Sequence, residues 1–233
     1  MNAVRVKGLI VTGIGLAVTG SVALIAPGYF EEGARVPVHW GIDGPDAFAT
    51  PETASRYLWL MPGACAFAGF LFALMPMIDP FRENVDRSYK AYSAVWIGVI
   101  ALFIFIQLGL AASMTGLFVP GEEFPRAILG AIGLFFVIIG NYLPKTRANF
   151  IFGIRTPWTL TSDTAWEKTH RLGGRLFIVA GLLAMALAFI ADGAQMAVLF
   201  AAILLPLIAI LFVYSFLVWR KADDRMSSSD YIV

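Results

Sequence analysis

Residues 196–218 have the sequence MAVLFAAILLPLIAILFVYSFLV, which contains no charged side chain. A bilayer core about 30 Å thick is crossed by a helix of roughly 20 predominantly apolar residues. This stretch is long enough and apolar enough to make that crossing. It therefore predicts an integral membrane protein and not a soluble domain.

The composition of the whole chain supports the same class. Of the 233 residues, 59% are hydrophobic and 14% are charged, whereas about a quarter of the residues in a soluble domain are charged. The chain lacks the ions needed to cover a water-exposed surface, so composition favours a membrane protein. The single cysteine, Cys65, excludes a disulfide within the chain and has apolar neighbours, which is typical of a packing residue.

Five further stretches resemble residues 196–218 in length and polarity, and none of them holds Asp, Glu, Lys or Arg. The six predicted spans are Leu9–Ala26, Leu58–Ile78, Ser93–Thr115, Ala127–Leu143, Leu176–Ala191 and Met196–Val218. Together they predict an all-α integral membrane protein with six transmembrane helices, built as a single polytopic domain over residues 1–233.

The basic residues predict the orientation, because Lys and Arg resist translocation. Alternate segments hold 14 of the 17 basic residues, and the remaining segments hold three. Both termini are therefore predicted to be cytoplasmic (N-in, C-in). The predicted parts are a two-span part at 1–92 with an outer loop at 27–57, a four-span part at 93–221 with a cytoplasmic loop at 144–175, and a cytoplasmic tail at 222–233. The tail is expected to be disordered, because it has little apolar surface.

The cytoplasmic loop begins where Pro144 ends the fourth helix. The aromatic stretch NFIFGI, residues 149–154, is β-prone. A helix that begins near Thr164 is predicted, and it leads into the fifth span. Its candidate capping residues are Thr161, Ser162 and Asp163.

Four residues of the helix that begins near Thr164 are candidates for specific contacts. Trp166 and His170 are four positions apart and share one face, while Gly173 and Gly174 permit close approach to a neighbouring helix. The loop carries six basic residues, which the anionic leaflet attracts by roughly 1 kcal/mol for each one near the surface. A surface loop held by charge is one interpretation, and a specific functional motif is the other.

The outer loop combines turn-forming residues with a group of polar and aromatic side chains. Its piece VPVHW is predicted to be extended, and the group consists of His39, Trp40, Asp43 and Asp46. These side chains suit a surface for an extracellular ligand. The other interpretation is a compact lid with its aromatic rings at headgroup level. One histidine without a cysteine cluster does not favour a metal site.

Three motifs of the cytoplasmic side resemble those of a known family. They are GNYLP at Gly140–Pro144, GIRTPWTL at Gly153–Leu160 and WEKTHRLGG at Trp166–Gly174. Their order resembles the signature of the SdpI family, the immunity proteins against a sporulation-delaying peptide toxin. The outer stretch VPVHWGIDGPDAF is similar to a domain of unknown function that often precedes this signature. The chain departs from the family pattern at Ala148, where proline is expected, and at Gly41, where asparagine is expected.

The resemblance implies a multi-pass protein of the bacterial inner membrane that protects its host from a membrane-active peptide toxin on the outer side. In the best-known member it also implies a sensor that holds a cytoplasmic repressor protein at the membrane. It implies no enzymatic activity, no cofactor and no direct contact with nucleic acid. The functional motif that it indicates comprises Asn141, Pro144, Arg155, Thr156, Pro157, Trp158, Trp166, Thr169, His170, Arg171, Gly173 and Gly174.

Side-chain chemistry suggests roles for the centre of that motif. The planar guanidinium of Arg155 can bind a helix C-terminus, a carboxylate or a lipid phosphate through two hydrogen bonds. Pro157 fixes a turn, and Trp158 and Trp166 seat the loop against lipid or against helix ends.

Two other functions have a weaker basis in the sequence. A transporter or flippase for a small or lipidic substrate would need polar residues within its spans, where Gln107 is the main candidate. A membrane-embedded enzyme would need an acid–base set, for which His170, Asp163, Glu167 and Arg155 are available on the cytoplasmic side. No nucleophile elbow, metal-ligand motif or phosphate loop accompanies that set.

Overall fold

Long helices account for most of the fold in a computed structural model, which describes residues 2–41, 44–117 and 123–225. The helices are α1 (Asn2–Ile25), α2 (Pro51–Tyr57), α3 (Leu60–Ile78), α4 (Arg82–Arg87), α5 (Tyr89–Met114), α6 (Glu123–Tyr142), α7 (Pro157–Leu160), α8 (Asp163–Ile190) and α9 (Gly193–Arg220). Six of the helical stretches are long and apolar enough to cross a membrane, which confirms the predicted six-span fold. Asp43, a predicted ligand candidate, and residues 226–233 of the predicted tail lie outside the described residues.

The starts of the short and long helices follow local sequence signals. Thr50 accepts a hydrogen bond from the Thr53 N–H at 3.4 Å, and Pro51 occupies the first turn of α2. Ser162 accepts a hydrogen bond from the Ala165 N–H at 3.0 Å and caps the start of α8. It is one of the three capping residues that the sequence offered. From there α8 continues without a break through the fifth predicted span.

The membrane helices pack in two groups of three. The first group contains α1, α3 and α5, and its core is built around Tyr92, Trp96 and Ile100. The second group contains α6, α8 and α9, with Leu129 and Ala184 among its core residues. Helices α5 and α6 lie side by side and join the two groups. A change in the angle between the groups would therefore act on this junction and on whatever else bridges it.

Two pairs of glycines bring α6 and α8 into backbone contact. A Cβ atom added to Gly133 would lie 2.6 Å from the Gly181 carbonyl oxygen, and one added to Gly140 would lie 2.6 Å from the Gly174 carbonyl oxygen. The pairs are seven residues apart on each antiparallel helix, so both fall on one seam. Small residues are the usual means of close helix approach within a membrane. The predicted close approach at Gly174 is confirmed, and the other three glycines extend it along the seam.

Gln107, the predicted intramembrane polar residue, lies in the core of the first group with no exposed surface. Its amide nitrogen donates to the Thr19 carbonyl at 3.2 Å and to the Leu58 carbonyl at 3.1 Å. Leu58 lies at the junction of α2 and α3, and Pro62 four residues later has no N–H to offer that carbonyl. Gln107 thus supplies a hydrogen bond that the α3 backbone cannot make.

Replacing Gln107 by leucine should lower the free energy of unfolding by about 1–3 kcal/mol, because the buried Leu58 carbonyl loses its donor. Thermal unfolding of the detergent-solubilised protein measures the change. Leu108→Ala is the matched control, since Leu108 is the next residue of α5 and is exposed on the helix exterior. Equal unfolding temperatures for Gln107→Leu and the native protein would show that the amide does not support the helix junction.

A β-hairpin covers the end of the bundle where α1 ends. Strand β1 (Val36–Gly41) pairs antiparallel with β2 (Gly44–Ala49), with Val36 opposite Ala49 and Gly41 opposite Gly44. The prediction of an extended VPVHW piece is confirmed, and the second strand is a further finding. Val36 is buried in the core of the first helix group, which fixes the hairpin on that group. This end of the molecule is called the hairpin end, and the opposite end, which holds residues 143–162, the loop end.

Candidate functional site

A segment at the loop end, between the first and the third family-like motif, crosses from one helix group to the other and back. This segment, residues 146–156, is called the crossing loop. On the first group, the Arg147 N–H donates to the Ser88 hydroxyl at 2.9 Å, and the Phe150 N–H donates to the Asp79 carboxylate at 2.9 Å. The Asn84 amide donates to the Ala148 carbonyl at 2.8 Å. Three polar side chains of the first group therefore hold a segment that follows α6 of the second group.

Aromatic stacking adds to these hydrogen bonds. The Phe150 ring stacks on Phe81 with centroids 5.5 Å apart, and the Phe152 ring lies 5.5 Å from Tyr92. Aromatic pairs of this kind contribute about 0.5–1.5 kcal/mol beyond the area they bury. The crossing loop is thus bonded to the first helix group through its backbone and packed against it through its rings.

The β-prone stretch NFIFGI does not form a strand. Residues 150–153 lie in bends. The buried Asn149 side-chain oxygen accepts hydrogen bonds there from the N–H groups of Ile151 and Phe152, both at 2.9 Å. This local turn replaces the partner strand that an extended segment would need. The local turn overrides the β propensity of this stretch, and Asn149 is a site residue that sequence reasoning did not select.

His170 holds the crossing loop on the second group. Its Nε2 accepts the Ile154 N–H at 2.9 Å, and its Nδ1 lies 2.8 Å from the Trp166 carbonyl oxygen. The accepting Nε2 carries no proton, so the ring is neutral with its proton on Nδ1. The predicted shared face of Trp166 and His170 is confirmed, because their rings stack with centroids 4.0 Å apart. The Trp166 indole N–H donates in turn to the Thr146 carbonyl at 3.0 Å.

Gly153 permits this approach to His170. Its φ angle is +120°, a backbone conformation that residues with a side chain rarely adopt. A Cβ atom at this position would lie 2.6 Å from His170 Nε2 and 3.1 Å from the Trp166 ring. Two separate features, the backbone angle and the nearby rings, therefore require glycine here. The sequence indicates this only through the position of Gly153 at the head of the GIRTPWTL motif.

The Thr156–Pro157–Trp158 segment anchors the end of the crossing loop on α9. Thr156 and Thr159 form a capping box around the first turn of α7, where Pro157 occupies the first position. The Thr156 hydroxyl lies 3.1 Å from the Ser215 hydroxyl. The Trp158 ring packs against two α9 phenylalanines, with the Phe212 centroid 4.8 Å away. The turn predicted at Pro157 is present, and Trp158 is seated on a helix.

Arg155, the residue predicted to bind through two hydrogen bonds, is exposed. Its Nη1 donates to the Phe150 carbonyl within the crossing loop, and not to a helix C-terminus or a carboxylate. A bidentate contact with a lipid phosphate stays a prediction. Its neighbours in sequence make the contacts to the helices, so the order of residues in this motif follows from packing.

The remaining motif residues have varied surroundings. The Arg171 guanidinium pairs with Glu167 at 2.5 Å on the surface of α8, and Gly173 packs against Ile154. Asn141 is exposed, Pro144 packs on Gly174, and Thr169 is buried.

His170 uses both ring nitrogens within the protein, so the four residues considered for acid–base chemistry do not form one exposed set. Over residues 2–41, 44–117 and 123–225, no three His, Cys, Asp or Glu side chains lie close enough together to hold a metal ion.

The first residues after α9 return to the loop end and dock there. The Asp224 carboxylate accepts a hydrogen bond from the Ser162 hydroxyl at 2.6 Å and one from the Thr164 N–H at 2.9 Å. Burial acts to raise the pKa of Asp224, but the hydrogen bonds from Ser162 and Thr164 together outweigh it and hold this pKa below its ordinary value. The prediction of disorder is therefore wrong for residues 222–225. The tail has little apolar surface, but the hydrogen bonds of the Asp224 carboxylate hold these residues at the start of α8.

Replacing Asp224 by alanine should lower the unfolding temperature at pH 7 by roughly 2–4 °C, the equivalent of losing one exposed helix cap of about 1 kcal/mol. Because the folded-state pKa is lowered, the carboxylate stabilises the protein above its unfolded pKa of about 3.9 and loses this effect as the pH falls through the folded value. Unfolding temperatures at pH 7 and pH 3 measure this. The adjacent exposed Asp223→Ala variant is the control; an Asp224→Ala deficit that persists unchanged at pH 3 would contradict the ionic contribution.

A cleft at the hairpin end separates β1 from the second helix group. Its volume is about 520 Å³, and its lining from α6 and α9 is apolar, with Ile128, Met196 and Phe200 among the lining residues. The Trp40 ring contacts Phe124 of α6 edge-on, with centroids 5.4 Å apart. The hairpin thus bridges the two helix groups at this end, as the crossing loop does at the other.

Three of the four predicted outer-loop ligand residues, His39, Trp40 and Asp46, lie at or beside this cleft. His39 and Trp40 belong to its lining, and His39 Nδ1 lies 2.5 Å from the Asp46 carboxylate. Both members of this pair are exposed. The cleft therefore has an apolar floor and one polar pair at its edge, an arrangement that suits an amphipathic ligand. Phe124, which closes one side of it, is a further site residue that sequence reasoning did not select.

Comparisons with known proteins match a family model and a characterised relative. Residues 145–215 match the model of the SdpI/YfhL protein family. Over 175 residues the chain is 30% identical to the immunity protein SdpI of Bacillus subtilis (strain 168), which is 75% of this chain and 79% of that protein. No solved structure matches the chain. The family match covers the crossing loop, α7, α8 and the part of α9 that ends at Ser215.

Proposed function

The chain belongs to the SdpI family, and on that basis we propose that this multi-pass membrane protein protects its host cell from a membrane-active peptide toxin. The similarity to an immunity protein over most of both chains supports this function. The proposal places the protein in the bacterial inner membrane, with the hairpin end outside. The excess of basic residues in the segments of the loop end supports that orientation.

The cleft at the hairpin end is the proposed place of toxin binding. A membrane-active peptide has apolar side chains that must leave the lipid or the water to bind, and an apolar cleft of about 520 Å³ can receive them. The pair of His39 and Asp46 at the edge can bond the polar side of the same peptide. Toxin binding here would keep the peptide at the protein and out of the bilayer.

The proposal extends to toxin sensing through the two bridges between the helix groups. The hairpin contacts the second group through Trp40 and Phe124, and the crossing loop contacts both groups at the opposite end. A peptide in the cleft would press on the first bridge and shift the groups against each other. The second bridge would then move at the membrane surface, where a repressor protein would meet it.

The test is protection of a sensitive host against a panel of membrane-active peptides. The native protein should raise the inhibitory concentration of at least one peptide by fourfold or more. Ala197→Trp should remove most of this protection, because Ala197 is an exposed residue of the cleft lining and the larger ring fills the space. The control is Ala202→Trp, which places the same ring on the same helix outside the cleft.

The immunity function and the place of toxin binding fail in different ways. An unchanged inhibitory concentration for every peptide, with the native protein present in the membrane, would refute the immunity function. Full protection by Ala197→Trp would leave immunity in place and refute the cleft as the place of toxin binding. Membrane levels of each variant are compared by immunoblot, so that a loss of protein is not counted as a loss of function.

A further inference from the structure

A small polar pocket at the loop end is separate from the cleft and lies beside the start of the crossing loop. It lies between the end of α6 and the first turns of α8 and has a volume of about 250 Å³. Thr146 and Trp166 belong to its lining, and both are buried. Three basic side chains, Lys145, Arg147 and Arg171, also line it.

The charges around this pocket are not balanced. Of its two acidic residues, Glu167 is paired with Arg171 at 2.5 Å, and Asp163 is in the first turn of α8, where the positive end of the helix dipole stabilises a carboxylate. In the described ranges 2–41, 44–117 and 123–225, no carboxylate lies within ion-pairing distance of Lys145 or Arg147. Among the described residues, Lys145 and Arg147 at this opening therefore have no ion-pair partner.

The donors of these cations remain available to a ligand. The Lys145 ammonium lies over the Tyr142 ring, 5.0 Å from its centroid, a contact that leaves its N–H groups free to bond elsewhere. The Arg147 backbone bonds Ser88, which positions the residue while its side chain is exposed. Arg171 engages Glu167 through one nitrogen and has further N–H donors in the same plane. Lysine and arginine donors that line one pocket suit the oxygens of a phosphate group.

The position of the pocket selects among phosphate-bearing ligands. Lys145 ends the fourth membrane-spanning stretch, Glu123–Lys145, and the pocket opens beside it. Lipid phosphates lie at the depth where a span ends. We propose that this pocket binds a phosphate-bearing anion, and that the phosphodiester of an anionic lipid headgroup is its occupant. This binding site is independent of toxin immunity and of the cleft.

The experiment measures lipid retention by the full chain. The detergent-purified protein is mixed with equal amounts of phosphatidylglycerol and phosphatidylcholine of identical acyl chains, and the bound lipids are resolved by native mass spectrometry. The native protein should retain phosphatidylglycerol at least fivefold over phosphatidylcholine. The double variant Lys145→Gln/Arg147→Gln should lose this preference, and both changes are at exposed side chains that the fold does not need.

A matched double variant separates a built pocket from general surface charge. Lys168→Gln/Lys221→Gln removes two exposed positive charges near the same end but outside the pocket, and it should retain phosphatidylglycerol within twofold of the native protein. Equal losses in the two double variants, or no preference for phosphatidylglycerol in the native protein, would overturn the proposal. Displacement of the lipid by millimolar glycerol phosphate supports the phosphate pocket and identifies soluble phosphate as a second source.

Discussion

Gly181→Leu should destabilise the protein by about 3 kcal/mol or more, the largest effect expected of a single substitution in the second helix group. A Cβ atom at Gly181 would lie 2.4 Å from the Gly133 carbonyl oxygen and 2.9 Å from the Val137 nitrogen. These are backbone atoms of α6, so they cannot rotate away as a side chain would. Helices α6 and α8 would have to separate along the whole glycine seam. Unfolding temperature in detergent and protection of a toxin-challenged host should both fall.

The same change on the outside of the bundle provides the control. Gly13 is in α1, and a Cβ atom there would have no atom within 4 Å. Leucine is a better helix former than glycine by up to about 1 kcal/mol, so Gly13→Leu should leave stability unchanged or raise it slightly. The loss at Gly181 would then be due to the helix contact and not to the size of leucine. A stable, protective Gly181→Leu protein would show that the seam is not in backbone contact.

Gly153→Ala should release the crossing loop from the second helix group, with a loss of about 2–4 kcal/mol. Of this, about 1–3 kcal/mol comes from forcing alanine into the φ angle of +120°, and about 1 kcal/mol from the hydrogen bond between the Ile154 N–H and His170. Amide hydrogen exchange of residues 146–156 measures the release directly. Exchange in this segment should become faster, while exchange in α1 and α9 stays slow.

A second glycine with a positive φ angle separates the two causes. Gly33 has a φ angle of +76°, and a Cβ atom there would have no neighbour within 4 Å. Gly33→Ala should therefore cost only the backbone strain, about 1–2 kcal/mol, with no effect on exchange in the crossing loop. If Gly153→Ala costs no more than Gly33→Ala and the loop stays protected, then the close contact with His170 does not hold the loop.

Much of the helical fold is predictable because each span is determined by a local property. A run of apolar side chains must satisfy its backbone hydrogen bonds within itself when it lies in lipid, and a helix does so. The six spans follow from this alone. Ser162 as a cap and the shared face of Trp166 and His170 follow from contacts over three or four residues, and these were predictable for the same reason.

The parts that sequence reasoning missed depend on residues distant in the chain. The crossing loop is fixed on the first helix group by Asp79, which is 71 residues away from its partner Phe150. The docking of Asp224 at Ser162 spans 62 residues, and the cleft needs Phe124 beside Trp40. No periodicity or local motif records such pairs. The division into two groups of three helices could not be predicted from the sequence either, because it depends on packing between spans that are distant in the chain.

The crossing loop has a consequence for how the molecule is made. Asp79, Asn84 and Ser88 leave the ribosome well before residues 147–150, their partners, have been synthesised. During that interval the first three spans sit in the bilayer with their polar acceptors and donors open to water. The contacts of the early part of the polypeptide are thus completed only when a later part has been made. A ribosome stalled before residue 147 would leave a half-built product that quality-control proteases can recognise.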